Sequence, residues 1–476
     1  MRARKPCRGG TFRVDFRAMD LLDALKRTEG KTLEFKRDLS SPEGILKTVV
    51  AFANTAGGTL FIGVEDRTGS VRGVSDPLKL EERLASLISD SILPRLAPEL
   101  EIVPWRRTHV LRVQVYPSPG RPHYLGREGA ESGVYVRVGS TNRRADRQLI
   151  EELGRTARGT GFDEQPMPDL DSEAIDFRAA SESFARVRRL KASDLETLRL
   201  VVRHQGRKVP TVGGVLLFGA DRERHFPDAW IQAGRFKGID KARILDHVEI
   251  RSLPLPAIET AIGFVGKHTL HGVEIDAARR SERWNLPPAA VREAVVNAVA
   301  HADYSQRGAP IRISVFDDRL EVESPGLLPF GLTVDDLRRG VSKLRNRVIG
   351  RVLHELGLME QWGSGIQRMT AACEEAGLAP PGLEEIGTRF RVTIHTSRTQ
   401  PISVEPVDQA ILDALTGGGG LSTRELAERI SRSTRATRAR LARLVASGLV
   451  REIGSSPMDP RRLYYLAAEG SSGEAE

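Results

Sequence analysis

Two stretches that pack poorly as helix or strand cut this chain into units, and any fold must respect the cuts. Residues 159–175, GTGFDEQPMPDLDSEAI, are rich in Gly, Pro and acid, and residues 398–406 contain two prolines; both read as linkers. A chain of 476 residues is too long for one core, and the usual domain size predicts about three or four folded units. No apolar run approaches the roughly 20 residues of a membrane helix. Cys7 and Cys373 are the only cysteines, too few for a disulfide framework or a Cys-based zinc site, and no signal-peptide pattern opens the chain. A cytoplasmic protein is expected.

The formal charge of +9 suggests nucleic acid until it is located. Residues 1–18 hold six basic side chains against Asp15, a net of +5, which leaves +4 for the rest. A helical pattern begins at Met19, so 1–18 reads as a disordered basic extension or an over-extended start, and 469–476 as a disordered tail.

Between the cuts, helix and strand signals alternate, and the fold class is an α/β multidomain (α+β) chain. Residues 19–158 form a first mixed unit, with strands at 32–36, 58–64, 110–115 and 133–138 and helices at 42–55 and 80–91. Residues 176–275 form a connecting unit, with a helix at 193–204 and strands at 213–218 and 230–236. The unit 276–397 opens with a helix at 288–302, continues through strands 311–316 and 319–323 and helices near 345–356 and 364–376, and ends on strand 389–395. Residues 407–468 read as three short helices and a hairpin, a winged helix-turn-helix.

Three constellations carry chemistry. Glu29, Glu34 and Asp66 fall at a helix end, on a strand and after the next strand, where short connections can gather three carboxylates; such a set suits Mg²⁺ or Mn²⁺ and metal-activated water. Ordinary turn and helix-end acids are the alternative. Lys36 and Lys47 are candidate phosphate contacts. On helix 288–302, Glu293, Asn297 and His301 recur every four residues on one face: an amide oxygen can ligate Mg²⁺ and a carboxylate one turn away can orient water. Gly363-Ser364-Gly365 opens the next helix, offering backbone N–H groups to phosphate. A solvated polar face is the alternative. Between Arg429 and Arg451 there are seven arginines and no acid. They place Arg432, Arg435, Thr437, Arg438 and Arg440 toward DNA and Arg461 and Arg462 of the wing on phosphates, with Ser433 or Thr434 as N-cap. A winged helix used for protein contacts is the alternative.

The strings EGKTLEFKRDL (29–39), VVAFANTAGGTLFIGVEDRTG (49–69) and GVYVRVGSTNRRA (133–145) resemble the Schlafen-type AlbA-like domain. The resemblance implies nucleic-acid binding over 19–158 and matches Glu29, Glu34 and Asp66 to an RNA-cleaving set. REAVVNAVAHADYSQ (292–306), FDDRLEVESPGLLPFGL (316–332), LRNRVIGRVLHELGLMEQWGSGIQRM (344–369) and EIGTRFRVT (385–393) resemble the GHKL-type ATP-binding domain of predicted bacterial transcriptional regulators. That resemblance implies ATP and Mg²⁺, with Glu293 activating water, Asn297 binding the metal, His301 and Gly326 at the nucleotide, and Gly363, Ser364 and Gly365 over the phosphates. The usual Asp-x-Gly box is absent; Glu323-Ser324-Pro325-Gly326 stands in its place. The expected function is an ATP-binding, DNA-binding transcriptional regulator, homo-oligomeric through its helix-turn-helix. The alternatives are an ATP-gated, metal-dependent endonuclease on RNA or DNA, acting in defence, and a protein-interaction scaffold with a decayed ATP site.

Overall fold

The computed structural model describes residues 21–66, 68–276, 279–360, 363–397, 405–416, 420–446, 449–453 and 462–466. The extension 1–18, the tail 469–476, Arg461 and Trp362 lie outside the described residues.

The first unit is built on a four-stranded sheet in the order Leu33–Lys36, Gly58–Ile62, Thr108–Val115, Glu99–Trp105. The first two strands run parallel, Leu33 opposite Thr59, so a crossover must join them, and helix Pro42–Asn54 supplies it. Its Ile45, Val49 and Phe52 are fully buried against the sheet. Gly57, at φ +77°, makes the return to the second strand; a Cβ there would lie 2.8 Å from the Val115 oxygen. The hairpin Tyr135–Val138 and Thr141–Arg144 packs on this helix.

The middle of the chain forms one six-stranded sheet, ordered Ile244–Ile250, Ile231–Phe236, Ile311–Val315, Arg319–Pro325, Arg389–His395, Gly382–Ile386. The expected division near 275 therefore falls inside a single layer: Ile231–Phe236 pairs in parallel with Ile311–Val315, and one hydrophobic core runs from Ile175 to Ile394. Helices Pro254–Thr269 and Pro288–His301 cover one face of the sheet, and Gly365–Glu375 packs on the latter.

Two expected elements differ. Residues 213–218 are not a strand but helix Val212–Phe218, with the Thr211 hydroxyl accepting from Gly214 N at its N-cap. All seven of its residues are buried, so no alternation or helical stripe could separate the two readings. The long helix expected at 193–204 is a short helix, Asp194–Thr197, followed by hairpin Val201–His204 with Arg207–Pro210; Arg199, at φ +58°, ends the helix. Residues 159–175 also do more than link. The carboxylate of Asp163, fully buried, accepts from the backbone N–H groups of Arg347 (3.1 Å), Val348 (2.7 Å) and Ile349 (3.0 Å), satisfying the first turn of helix Arg347–Glu355.

The C-terminal unit packs helices Pro406–Leu415, Thr423–Arg429 and Thr434–Ala446 against hairpin Val450–Ile453 with Leu463–Leu466. Its core is Ile411, Leu415, Leu426, Leu441, Leu444 and Tyr464. Ser422 and Glu425 form a capping box, and the Ser433 hydroxyl accepts from Ala436 N, which settles the N-cap of the third helix on Ser433.

Candidate functional site

The expected polar face of helix Pro288–His301 is not solvated. Glu293, Asn297 and His301 line a cavity of about 500 Å³ between this helix, the sheet and the segment 326–344. Only 6% of Glu293 is exposed. Its carboxylate accepts from the Asn297 side-chain amide at 3.0 Å and from Arg368 at 2.9 Å. Because the amide nitrogen faces Glu293, the amide oxygen of Asn297 is left for another partner. Burial pushes the His301 imidazole down to about 4, so it is neutral at physiological pH.

The glycines are explained by close approach. Helix Gly365–Glu375 begins against the Glu293–Asn297 pair: a Cβ on Gly365 would sit 2.0 Å from Glu293 Oε1 and 3.3 Å from Asn297 Nδ2. Gly363, at φ +71°, lies against the Gly340 carbonyl and Ser342. Both line the cavity, as does Gly326 at φ +101°. Ser364 departs from expectation: its hydroxyl donates to Glu360 at 2.8 Å, and it is not part of the cavity wall. Strand alternation decides which side chains of Glu323-Ser324-Pro325-Gly326 reach the cavity. Val322 and Ser324 face the cavity, while Glu323 turns to the other side of the sheet and binds Arg391 at 2.7 Å.

Sequence reasoning missed the basic wall of this cavity. Lys343, Arg347, Arg351 and His354 all line it; the spacing Arg347, Arg351, then His354 on one helix was the available signal. It also missed the contacts that hold segment 326–344 from behind. Gly331 N donates to Thr55 O at 3.3 Å, and Leu328 N donates to Glu385 Oε1 at 2.7 Å, an oxygen that also pairs with Lys31 Nζ at 2.6 Å. Leu327, Leu328, Pro329 and Leu332 thus face the 500 Å³ cavity on one side and, on the other, a second cavity of about 200 Å³ against the N-terminal unit.

Glu29, Glu34 and Asp66 do converge, but around a cation. Lys36 Nζ lies 2.7 Å from Glu34 Oε1 and 3.0 Å from Asp66 Oδ2. The other Glu34 oxygen pairs with Arg137, a side chain 1% exposed whose Nε and Nη1 donate to Gly30 O and Asn142 Oδ1. Glu29 Oε1 accepts from Phe35 N at 2.7 Å. Burial, with Glu34 and Asp66 adding to it, raises the Glu29 carboxyl above the usual range. Among the described residues no group of three or more His, Cys, Asp or Glu is placed to hold a metal ion. As arranged, Lys36 and Arg137 engage both Glu34 oxygens and one oxygen of Asp66, so two of the three carboxylates expected to hold a metal pair with cations of the chain itself. Lys36 is committed to this cluster, and Lys47 pairs with Glu43 at 2.6 Å.

On the winged helix, Arg432, Arg435 and Arg438 are exposed as expected. Thr437 is not: it is buried and its hydroxyl donates to Ser433 O. Arg440 turns back onto the first helix of the unit, 2.7 Å from Glu405 and 3.0 Å from Asp408, and Arg462 pairs with Glu452 at 2.6 Å. The two belong to the framework in this arrangement, since helical spacing puts Arg440 two residues from Arg438 and off its face.

Three family models match. "Schlafen, AlbA_2" covers residues 29–146, "Putative ATP-dependent DNA helicase recG C-terminal" covers 308–394, and "Winged helix-turn-helix DNA-binding" covers 405–451. No curated protein matches the chain. Among solved structures, the DIP2311 protein of Corynebacterium diphtheriae is similar at 21% identity over 92% of each chain, with a TM-score of 0.42. The N-terminal domain of a "Putative ATP-dependent DNA Helicase RecG-related Protein" of Nitrosomonas europaea is 28% identical over 27% of this chain and 94% of that one, with a TM-score of 0.22. The chain is thus built, in order, of an AlbA_2 domain of the Schlafen type, a GHKL-like ATPase domain and a winged helix-turn-helix of a DNA-binding family.

Proposed function

We propose that this protein is a nucleotide-responsive DNA-binding regulator of transcription, in which ATP with Mg²⁺ fills the 500 Å³ cavity and alters how the winged helix engages DNA. The observation that carries the reading is the start of helix Gly365–Glu375 lying against Glu293 and Asn297, which puts bare backbone N–H groups, a carboxylate and an amide in one cavity. The residues fit the group. Asn297 would hold the metal through its amide oxygen, Gly363 and Gly365 would admit phosphates close to the backbone, and Lys343, Arg347 and Arg351 would balance their charge. Bound Mg²⁺ supplies charge neutralisation on the phosphates. Glu293 orients water, and Arg368 holds its carboxylate in place.

With Ser324 rather than an acid at this point of the strand, the base is read weakly, and GTP should bind within about tenfold of ATP, since one hydrogen-bond partner is worth about 1 kcal/mol. The segment 326–344 touches both the cavity and the AlbA_2 domain, which supports coupling between nucleotide and nucleic acid. Titration of duplex DNA with and without ATP and Mg²⁺, alongside calorimetry of ATP binding, tests the reading. Identical DNA affinities with ATP demonstrably bound would sink the coupling; no nucleotide binding would leave the scaffold alternative.

A further inference from the structure

Residues 186–208 hold eight basic side chains against Asp194 and Glu196, a net of +6, although the whole chain carries +9 and its first 18 residues +5. The fold spends both acids locally. Asp194 binds Arg188 at 2.7 Å, and Glu196 is shared by Arg203 at 3.7 Å and Lys208. Arg199 approaches Glu164 at 3.8 Å. Arg186, Arg189, Lys191 and Arg207 are exposed; Lys191 lies beside Asp194, which accepts from its backbone N–H at 2.7 Å, and among the described residues the other three have no acidic partner.

The hairpin presents this charge against its own stability. Its turn places Gln205 and Gly206 at φ +48° and +79°, and its register sets Lys208 directly across from Arg203 and Arg207 across from His204. Glu196 offsets the facing Lys208 and Arg203, whereas Arg207 at the turn has no acidic side chain beside it among the described residues, and an external anion is its natural counterpart. Six of the eight cations are arginines, whose planar forks suit phosphate. The leucines between them, Leu190, Leu198 and Leu200, are buried, and Val187 alone is a large exposed apolar side chain here; a membrane surface would need an apolar face beside the charge.

We infer that the 186–208 surface is a second nucleic-acid contact, which grips the phosphate backbone of DNA without reading its sequence. It also touches the nucleotide cavity from behind. Arg351, which lines that cavity, donates to Thr197 O at 3.1 Å, and Arg188 donates to Glu355 at 3.0 Å at the end of the same helix. The inference rests on the proposal that this chain binds DNA.

The test compares three full-length proteins on a labelled duplex across a KCl series. They are wild type, the patch variant Arg186→Gln/Arg189→Gln/Lys191→Gln/Arg207→Gln, and the wing variant, altered in the third helix of the winged helix, Arg435→Gln/Arg438→Gln. All four patch side chains are exposed, so folding and ATP binding should be unchanged, as thermal melting and calorimetry report. Each lost phosphate contact lowers the slope of log K against log salt by about 0.9, so the patch variant should lose roughly two to four units of slope and at least about tenfold in affinity at low salt. Loss in the wing variant alone overturns the patch. Loss in the patch variant alone keeps the patch and removes the wing reading. A wild type that binds no duplex removes both. Poly-glutamate or phosphatidylserine vesicles bound by wild type and lost in the patch variant, with DNA affinity unchanged, would also overturn it.

Discussion

Lys31→Met offers the sharpest test of how the AlbA_2 domain is fastened to the ATPase domain. Lys31 comes from the first domain and Glu385 from an edge strand of the second. Their side chains are 13% and 4% exposed and 2.6 Å apart, and burial pulls the Lys31 ammonium below its usual range against the pull of Glu385. Removing the cation leaves the Glu385 carboxylate buried with Leu328 N as its remaining partner. Stranding one member of a buried pair costs about 3 kcal/mol, whereas replacing both, as Lys31→Met/Glu385→Leu, should recover most of it. Urea unfolding of the four proteins gives a double-mutant cycle with an expected coupling near 2 kcal/mol. Because Glu385 also holds Leu328 on the cavity wall, the single variant should bind ATP more weakly as well. A Lys31→Met cost below about 0.5 kcal/mol, with coupling inside that same error, would refute the fastening.

Gly365→Ala should cut ATP affinity at least about tenfold in calorimetry while thermal melting shows a folded protein, since the new methyl meets Glu293 Oε1; unchanged affinity would remove the site. His301 titrates near 4 when folded and near 6.5 when unfolded, so stability falls as pH drops through that window, by up to about 3 kcal/mol; melting curves from pH 7 to 4 should flatten in His301→Asn. Arg440→Gln should lower the melting temperature by removing the partner of Glu405 and Asp408, whereas Arg435→Gln and Arg438→Gln should weaken DNA binding and leave melting unchanged. Glu34→Ala should destabilise by about 3 kcal/mol because it strands Arg137. Glu29→Gln is the cleaner probe of the carboxylates; if it abolishes Mn²⁺-dependent cutting, these carboxylates hold a metal in place of Lys36.

Much of the lining of the candidate nucleotide cavity was legible because it obeys local periodicity. Glu293, Asn297 and His301 recur at four-residue intervals, and an i, i+4 row shares a helical face wherever the helix packs. Gly363 and Gly365 carried the second signal, since paired glycines at a helix start mean backbone access. The winged helix was legible for the same reason: cap, turn and apolar spacing are written within a few residues of one another. Residues 212–218 and 193–204 were misread because uniform burial erases the period in one, and a single positive φ at Arg199 breaks it in the other.

The amino-acid sequence alone determined the amphipathic helices near 42–55, 288–302 and 434–446 and which residue types face one another one turn apart on them. Tertiary structure decided what each charge meets. Glu29, Glu34 and Asp66 read identically as metal ligands or as an ion-pair cluster until Arg137 arrives from the strand Tyr135–Val138 and the fold turns Lys36, on the strand of Glu34, between Glu34 and Asp66. Arg438 and Arg440 read alike until Glu405 and Asp408 claim one of them. The sheet that joins 231–236 to 311–315 could not be seen locally, because strand pairing is set by contacts some 80 residues apart along the chain. Periodicity is a short-range property of the backbone, whereas charge pairing and strand order depend on which distant segments the core brings together.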